Sequence, residues 1–220
     1  MLLESGTMSL KEIVRSLKLE WLFEENLLLK LGYSDCRILP LKGKGFETGF
    51  CLGEYSYDNS GRTALGKLIY NFKYKSNQDA GKILAGLVSQ LIKEKFGQSQ
   101  ILVSVPPSFT SRVFQPISFL AEGVSFKTGI SWEKDILGRT RLCQCQKELR
   151  SHWEKRKNVS DLFKLNQPKS VRDKMVLLLD DIYDSGATLA EICRVLRLSG
   201  AYNIGAVTLA KTGFEHYGLP

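Results

Sequence analysis

The first half of the chain contains apolar residues that recur every three to four positions. This spacing is typical of amphipathic helices, which bury one face. It predicts helices over residues 9–31 and 62–74, and a third helix around residues 83–92 that Gly97 ends. We expect the first of these helices to lie outside the main core.

A turn and a strand pair separate the first two predicted helices. Residues 40–45 are basic and contain glycine, which favours a turn or a linker. Apolar residues then flank Gly53 in a pattern that is compatible with two paired strands. We therefore place a domain boundary at residue 45. Residues 1–45 are predicted to form an N-terminal helical extension, and residues 46–220 the main domain.

The pattern changes after residue 100. Residues 101–105 form a short apolar run, which Pro106 and Pro107 end because proline cannot continue a β ladder. The run predicts a buried strand whose carboxyl end leads into a loop. Pro116 then suits the first turn of another helix.

The clearest pattern lies near the carboxyl terminus. Residues 175–179 are continuously apolar, as expected for a parallel strand that is covered on both faces. A helix is predicted from about Thr188 to Gly200, and a strand over residues 204–209 follows. Strand, helix and strand in this order form a βαβ unit, so the predicted fold class is α/β.

Composition narrows the range of functions. The chain has 220 residues, of which 43% are hydrophobic, and this globular composition excludes intrinsic disorder. The formal net charge of +8 indicates a polyanionic partner, either nucleic acid or a phosphorylated ligand. Apolar stretches reach only about five residues where a membrane span needs roughly 20, so no span is expected. The amino terminus lacks the features of a secretion signal, and we expect a cytoplasmic protein.

The five cysteines are irregularly spaced, and no two of them form a Cys-x-x-Cys pair. This pattern favours neither a disulfide framework nor a tetrahedral zinc site. Cys143 and Cys145 could supply two metal ligands, but the other thiols are scattered and the chain has only two histidines. We therefore expect no zinc.

The loop that follows the strand at residues 175–179 contains residue types that bind phosphate. The first amide groups of a helix lack acceptors and lie at the positive end of the helix dipole. Gly186 allows close approach of the backbone, and Ser185 and Thr188 offer hydroxyl donors. The glycine patterns of nucleoside-triphosphate and dinucleotide sites are missing, so the loop predicts a different phosphorylated ligand.

Two adjacent carboxylates, Asp180 and Asp181, begin this loop. Carboxylate oxygens suit the hydroxyl groups of a sugar or a hydrated Mg²⁺. Beside a phosphate loop, they indicate a ribose phosphate that carries a magnesium-bound diphosphate. The alternative is that Asp181, Asp184 and Ser185 form a polar turn that caps the helix.

The stretch from Val176 to Leu189 resembles the signature of type I phosphoribosyltransferases: an apolar strand, an acidic pair, two variable residues and a short hydroxyl- and glycine-containing loop. The resemblance implies an open, mainly parallel sheet flanked by helices. It also implies that Asp180 and Asp181 contact the ribose of phosphoribosyl diphosphate and hold Mg²⁺ indirectly. The 5-phosphate loop would consist of Asp184, Ser185, Gly186, Ala187 and Thr188.

Further segments resemble, in order, the ComF group of phosphoribosyltransferase-like proteins over about residues 50–212. These segments are residues 66–75, 103–107 and 139–141, Gln146 with Leu149, and Arg156 with Asn158. Members are associated with uptake of transforming DNA, which implies competence-machinery proteins as partners. The chain departs from the group in lacking its cysteine-rich zinc module. It also lacks the usual basic segment after the strand at residues 101–105, where Arg112 is the remaining candidate contact.

Two residues favour an alternative function, base salvage. Asp184 stands where purine-salvage members of the superfamily have an aspartate near the base, which makes it a candidate general base. Lys211 stands where those enzymes have a lysine that meets a purine carbonyl. From the residues alone, Asp184 could instead cap the loop, and Lys211 could be a solvated basic residue after a strand.

Residues 134–157 contain eight basic and three acidic residues, with Trp132 just before them and Trp153 near their end. Aromatic rings with cationic neighbours are typical of surfaces that bind single-stranded nucleic acid. A non-catalytic module that binds single-stranded DNA is therefore a third hypothesis. The segment could also be a solvated helix face, or a flexible hood over the diphosphate.

The leading hypothesis is a ComF-like protein that binds phosphoribosyl diphosphate with Mg²⁺ and acts in DNA uptake. As an enzyme it would be a phosphoribosyltransferase, whose acceptor and oligomeric state the residues do not indicate.

Overall fold

The structure is a computed structural model that describes residues 38–57, 61–107, 113–144, 148–149 and 151–212. The helix predicted over residues 9–31 lies outside them. In the described residues, a central sheet has helices on both faces.

Ten strands and five α-helices make up the described part of the chain. The strands are β1 Leu39–Pro40, β2 Thr48–Cys51, β3 Ser56–Tyr57, β4 Gly61–Arg62, β5 Ile101–Ser104, β6 Ser131–Trp132, β7 Leu137–Arg139, β8 Phe163–Leu165, β9 Met175–Tyr183 and β10 Asn203–Lys211. The helices are α1 Ala64–Lys75, α2 Gln78–Lys95, α3 Pro116–Thr128, α4 His152–Val159 and α5 Ala187–Leu198, with a short 3₁₀ helix at Pro168–Ser170.

Six strands form the central sheet in the order β1-β2-β10-β9-β5-β6. Every neighbouring pair is parallel except β1 with β2. Two small antiparallel pairs, β3 with β4 and β7 with β8, lie outside this sheet. The α/β class and the open, mainly parallel sheet are thereby confirmed, as is the βαβ unit made by β9, α5 and β10.

Side chains cap the first turns of α1 and α2. The Thr63 hydroxyl accepts a hydrogen bond from the Gly66 amide at 2.9 Å, so α1 starts at residue 64. The Asn77 side chain accepts from the Ala80 amide at 3.0 Å, so α2 starts five residues before its predicted apolar face. Pro116 is the first residue of α3, as predicted.

Strand β9 is covered on both faces, which explains its unbroken apolar run. Leu177 and Leu179 pack into the cluster that contains α1, α2 and α3. Val176 and Leu178 pack on the opposite face with α5. Because side chains alternate along a strand, consecutive residues of β9 point to opposite faces of the sheet.

Strand β9 also continues four residues beyond its apolar run. Asp180 pairs with Thr208 of β10, and Tyr183 pairs with Lys211. Asp180 and Asp181 therefore lie near the carboxyl end of β9, where hydrogen bonds to β10 hold the strand. The sequence alone places them at the start of the following loop.

The predicted strand pair around Gly53 is wrong in its pairing. Strands do flank Gly53, but β2 pairs with β1 and β10, whereas β3 pairs with β4. The Gly53 carbonyl accepts a hydrogen bond from the Lys211 amide at 3.0 Å. Leu52 is fully buried beside it, so the chain continues along β10 and does not turn back.

The amino-terminal edge of the sheet precedes the predicted domain boundary. Leu39–Pro40 pairs with β2, and Ile38 and Leu41 are buried. The boundary at residue 45 stays a prediction. None of the helices in the described ranges is long and apolar enough to cross a membrane.

Candidate functional site

The carboxyl ends of β5, β9 and β10 meet at one edge of the sheet and open into a cavity of about 1050 Å³. This is where ligands bind in open α/β sheets. The chain after β5 contributes Pro106 and Pro107, and the residue after β10, Thr212, also lines the cavity. β9 and the loop after it contribute the whole stretch from Asp180 to Leu189.

Asp181 is held by a lysine from α1. The ammonium group of Lys73 lies 2.5 Å from the Asp181 carboxylate, and both side chains are mostly buried. Asp181 follows Leu177 and Leu179 on the face of β9 that α1 covers, so the alternation of the strand explains the pairing. Burial alone would lower the pKa of Lys73, but the charge and hydrogen bond of Asp181 outweigh it, and the pKa is raised.

Asp180 is an electrostatically unfavourable carboxylate. Burial and the adjacent charge of Asp181 raise its pKa from 3.8 to about 7, although the Asp181 amide donates a hydrogen bond to it at 2.8 Å. A cation near the pair would relieve this repulsion. Mg²⁺ prefers one or two carboxylates together with phosphate oxygens and water, so Asp180 and Asp181 fit such an ion. Among the described residues, no group of three or more His, Cys, Asp or Glu could hold a metal by itself.

The loop after β9 turns sharply into α5 at Gly186. Its φ of +73° lies in the left-handed region that favours glycine. A Cβ there would overlap the Tyr183 hydroxyl, which donates a hydrogen bond to the Lys42 carbonyl at 2.6 Å. The Ser185 hydroxyl accepts from the Ala187 amide at 3.4 Å. Gly186, Ala187 and Thr188, at the start of α5, line the cavity, and the first amide groups of a helix lack acceptors within the helix.

Asp184 has a partner on each carboxylate oxygen. Lys155 of α4 lies 2.5 Å from one oxygen, and the Thr212 hydroxyl donates to the other at 2.9 Å. The Lys155 side chain is only 5% exposed. Three separate segments, α4, the loop after β9 and the end of β10, thus meet at one carboxylate.

The described residues 137–144, 148–149 and 151–165, which include β7, α4 and β8, line one side of the cavity; we name them the β7–β8 segment. Arg139 anchors it, because its guanidinium donates to the carbonyls of Pro106 and Pro107 at 3.1 Å and to the Cys143 sulfur at 3.1 Å. The interpretation of residues 134–157 as a flexible hood over the diphosphate stays a prediction.

The basic stretch at residues 134–157 is not a uniform cationic surface. Arg139 and Lys155 face the cavity, and Arg141 donates to the Asn158 and Ser160 carbonyls. Trp132 is half-buried, with its indole N–H donating to Ser104 at 3.1 Å. Trp153 is 67% exposed, and the ammonium of Lys157 lies 4.9 Å from its ring centre.

The structure brings together most of the residues that the sequence singled out. The residues that line one cavity are Asp180, Asp181, Asp184, Ser185, Gly186, Ala187 and Thr188. Lys211 ends β10 at the same edge, but the side chain that reaches the site from there belongs to Thr212. Arg112 and Cys145 lie outside the described residues, so a contact by Arg112 and the lack of zinc stay predictions.

The sequence alone does not show that Lys73 and Lys155 pair with the acidic residues. Lys73 stands within the segment that resembles ComF proteins, and Lys155 was one of eight basic residues in a charged stretch. A lysine that follows buried Phe72 in an amphipathic helix could have been noticed as partly buried. Helix α4 contains only two large apolar residues, Trp153 and Val159, so its pattern does not mark a clear inward face that would include Lys155.

The model of the phosphoribosyl transferase domain family matches residues 73–215. One similar protein is the DNA utilization protein YhgH of Salmonella typhimurium, which is 26% identical over 156 residues. Its counterpart in Escherichia coli K12 is 24% identical over 158 residues. Each alignment covers 67% of this chain and 67% of the relative.

Two solved structures resemble part of this chain. An adenine phosphoribosyltransferase from Leishmania donovani has a TM-score of 0.42 at 11% identity, over 76% of this chain and 82% of that chain. The allosteric regulatory enzyme of purine biosynthesis has a TM-score of 0.44 at 21% identity, over 64% of this chain but only 30% of that chain.

The matched residues 73–215 span both ion pairs, the acidic end of β9 and the loop at Gly186. The chain therefore belongs to the phosphoribosyl transferase domain family and is a ComF-like protein with a type I phosphoribosyltransferase domain.

Proposed function

We propose that this protein binds phosphoribosyl diphosphate together with Mg²⁺ and transfers the phosphoribosyl group to an acceptor. One observation carries the proposal: Asp180 and Asp181 line the same cavity as the glycine-containing start of α5. Carboxylates and free amide groups at this spacing suit the hydroxyls and the phosphate at the two ends of a ribose 5-phosphate.

Each group at the site would have a separate task. Asp180 and Asp181 would accept hydrogen bonds from the ribose hydroxyls, and their charge would favour the metal-bound form of the ligand. The amides at the start of α5 and the hydroxyls of Ser185 and Thr188 would donate to the 5-phosphate. When bound, Mg²⁺ supplies positive charge that stabilises the departing diphosphate.

In the reaction, the bond between the anomeric carbon and the diphosphate oxygen breaks, and the acceptor forms the new bond to that carbon. The electron pair leaves with diphosphate. The chain's own contribution would be to orient the ribose from both ends and to exclude water beneath the β7–β8 segment.

Isothermal titration calorimetry with phosphoribosyl diphosphate, with and without MgCl₂, tests this proposal. We expect binding that depends on Mg²⁺ and that Asp180→Asn combined with Asp181→Asn weakens by about 100-fold, because two charged acceptors are lost. Asp79→Asn, at an 85%-exposed side chain on α2, is the matched control and should bind like the wild type. No heat with the wild type, or equal binding by the double variant, would overturn the ligand assignment.

The geometry argues against base salvage, in which the acceptor would be a free purine or pyrimidine and Asp184 the general base. A general base needs a carboxylate oxygen that can take a proton from the acceptor, whereas Asp184 has Lys155 on one oxygen and Thr212 on the other. A panel of free purines and pyrimidines tests this alternative, because a salvage enzyme would release diphosphate with one of them.

The name of the similar YhgH proteins favours a role in the use of DNA. The ComF resemblance extends this proposal to competence-machinery proteins as partners. A surface on α4 supports contact with a single strand. Trp153 exposes a ring on which a base could stack, and Lys157 beside it could neutralise a phosphate. This is the second candidate function, and it needs no catalysis.

Binding of a labelled single-stranded oligonucleotide at several salt concentrations tests the second candidate. Affinity should fall steeply with salt, and Trp153→Ala should weaken binding about 10-fold through loss of one stacked base. Trp132→Phe, at the half-buried ring, is the control and should leave the affinity unchanged. Affinity that does not vary with salt would contradict phosphate contacts.

A further inference from the structure

Lys155 is an unusual residue for a polar surface helix. Helix α4 buries two side chains, Lys155 and Val159, and Lys155 is the more costly of the two because an ammonium group must leave water. Its side chain is 5% exposed and ends on Asp184 at 2.5 Å. A lysine that served only to attach α4 could be replaced by an apolar residue at lower cost.

The charges around the cavity show why a cation is needed there. Among the described residues that line it, four are acidic (Glu148, Asp180, Asp181 and Asp184) and three are basic (Lys73, Arg139 and Lys155). A ligand with phosphate groups brings more negative charge into this cavity. It must therefore be met by cations that now belong to internal pairs.

The three cations differ in the groups that they contact. Arg139 spans two backbone carbonyls and a sulfur, and Lys73 holds Asp181 at the ribose end. Lys155 holds Asp184, the first residue of the loop whose amides lead into α5. Lys155 is thus the cation on the phosphate-binding loop itself.

We infer that Lys155 binds the 5-phosphate of the phosphoribosyl ligand, and that Asp184 is its counter-ion while the phosphate is absent. This inference rests on the proposed function. When the phosphate binds, the ammonium group of Lys155 contacts both Asp184 and the phosphate. The hydrogen bond from the Thr212 hydroxyl holds Asp184 in place. Because Lys155 belongs to α4, the 5-phosphate also fixes this helix over the cavity.

Calorimetry with phosphoribosyl diphosphate and MgCl₂ on the full chain tests the inference. Lys155→Met should weaken binding at least about 10-fold, because a charge-assisted hydrogen bond is lost, and Lys155→Arg should restore part of it. Lys164→Met, which removes an exposed lysine from β8 of the same segment, should bind like the wild type. Melting curves identify any variant that is not folded.

Asp184→Asn separates a phosphate contact from a purely structural role. If Lys155 binds the phosphate, Asp184→Asn should weaken binding less than Lys155→Met does, because it removes the counter-ion but keeps the ammonium group. If Lys155 only holds Asp184, then Asp184→Asn and Lys155→Met should weaken binding equally, and the inference fails.

Ribose 5-phosphate, used as a competitor, locates the contact. It should lose affinity in Lys155→Met as strongly as phosphoribosyl diphosphate does. If only phosphoribosyl diphosphate is weakened, Lys155 contacts the diphosphate and the assignment is overturned. Wild-type protein that binds neither ligand would overturn the proposed function itself, whereas the other negative results leave that function standing.

Discussion

The ammonium group of Lys73 lies 2.5 Å from the carboxylate of Asp181, and this ion pair joins α1 to the carboxyl end of β9. The pair also sets the electrostatics of its neighbour, because Asp181 raises the pKa of Asp180 while Lys73 opposes that rise. Two strongly interacting carboxylates can thus stand side by side at the edge of the sheet.

Lys73→Met should destabilise the protein. The substitution leaves Asp181 without its cation beside Asp180, so the free energy of unfolding should fall by about 1–3 kcal/mol. Lys67→Met, at an exposed position of the same helix, should change it by less than about 0.5 kcal/mol. Urea denaturation at pH 8 measures both. Equal stability of the two variants would show that the pair contributes nothing.

Asp180 should make the stability of the protein depend on pH in an uncommon direction. Its folded-state pKa of about 7 exceeds the usual 3.8, so the folded state holds the proton more tightly than the unfolded state. Its contribution to stability therefore falls as pH rises from about 4 to 7 and stays low above 7. Asp180→Asn should stabilise the protein at pH 8 by roughly 1 kcal/mol or more, and by little near pH 4. A difference that does not change between these pH values would contradict the expectation; Asp79→Asn is the control.

Gly186→Ala should disturb the turn into α5. The left-handed φ of +73° strains alanine, and its Cβ would overlap the Tyr183 hydroxyl. We expect a loss of about 1–3 kcal/mol in the free energy of unfolding. Gly86→Ala is the control, because nothing lies within 4 Å of its Cβ position inside α2. That variant should be neutral or more stable by up to about 1 kcal/mol. Similar losses in both variants would argue against strain at the turn.

Two buried thiols should resist alkylation. Burial raises the pKa of Cys51 to about 11 and that of Cys193 to about 12, so both are protonated at pH 8. Cys143 is only half-buried at the cavity and should react first of the three. Iodoacetamide labelling followed by peptide mass spectrometry gives the order. The same reaction in urea is the control, where all three should react. Fast labelling of Cys193 in the native protein would contradict the packing of α5.

The fold could be predicted to the extent that it depends on local pattern. The run at residues 175–179 predicted a strand covered on both faces, because only such a strand is apolar at consecutive positions. The pairing at Gly53 could not be predicted in the same way. Which strand lies beside β2 depends on β10, far along the chain, and both arrangements have the same local pattern.

The sequence by itself determined the composition of the acidic pair and of the loop that is predicted to bind phosphate, since strand end, turn and helix start are consecutive from Asp180 to Thr188. Only the tertiary structure decided which cations meet these carboxylates. Lys73 and Lys155 come from helices on separate segments, and α4 has no apolar periodicity that marks an inward face. A charged side chain on a polar helix is buried only when the rest of the fold brings an opposite charge to it. The sequence of the helix alone does not show which of its charges will meet such a partner.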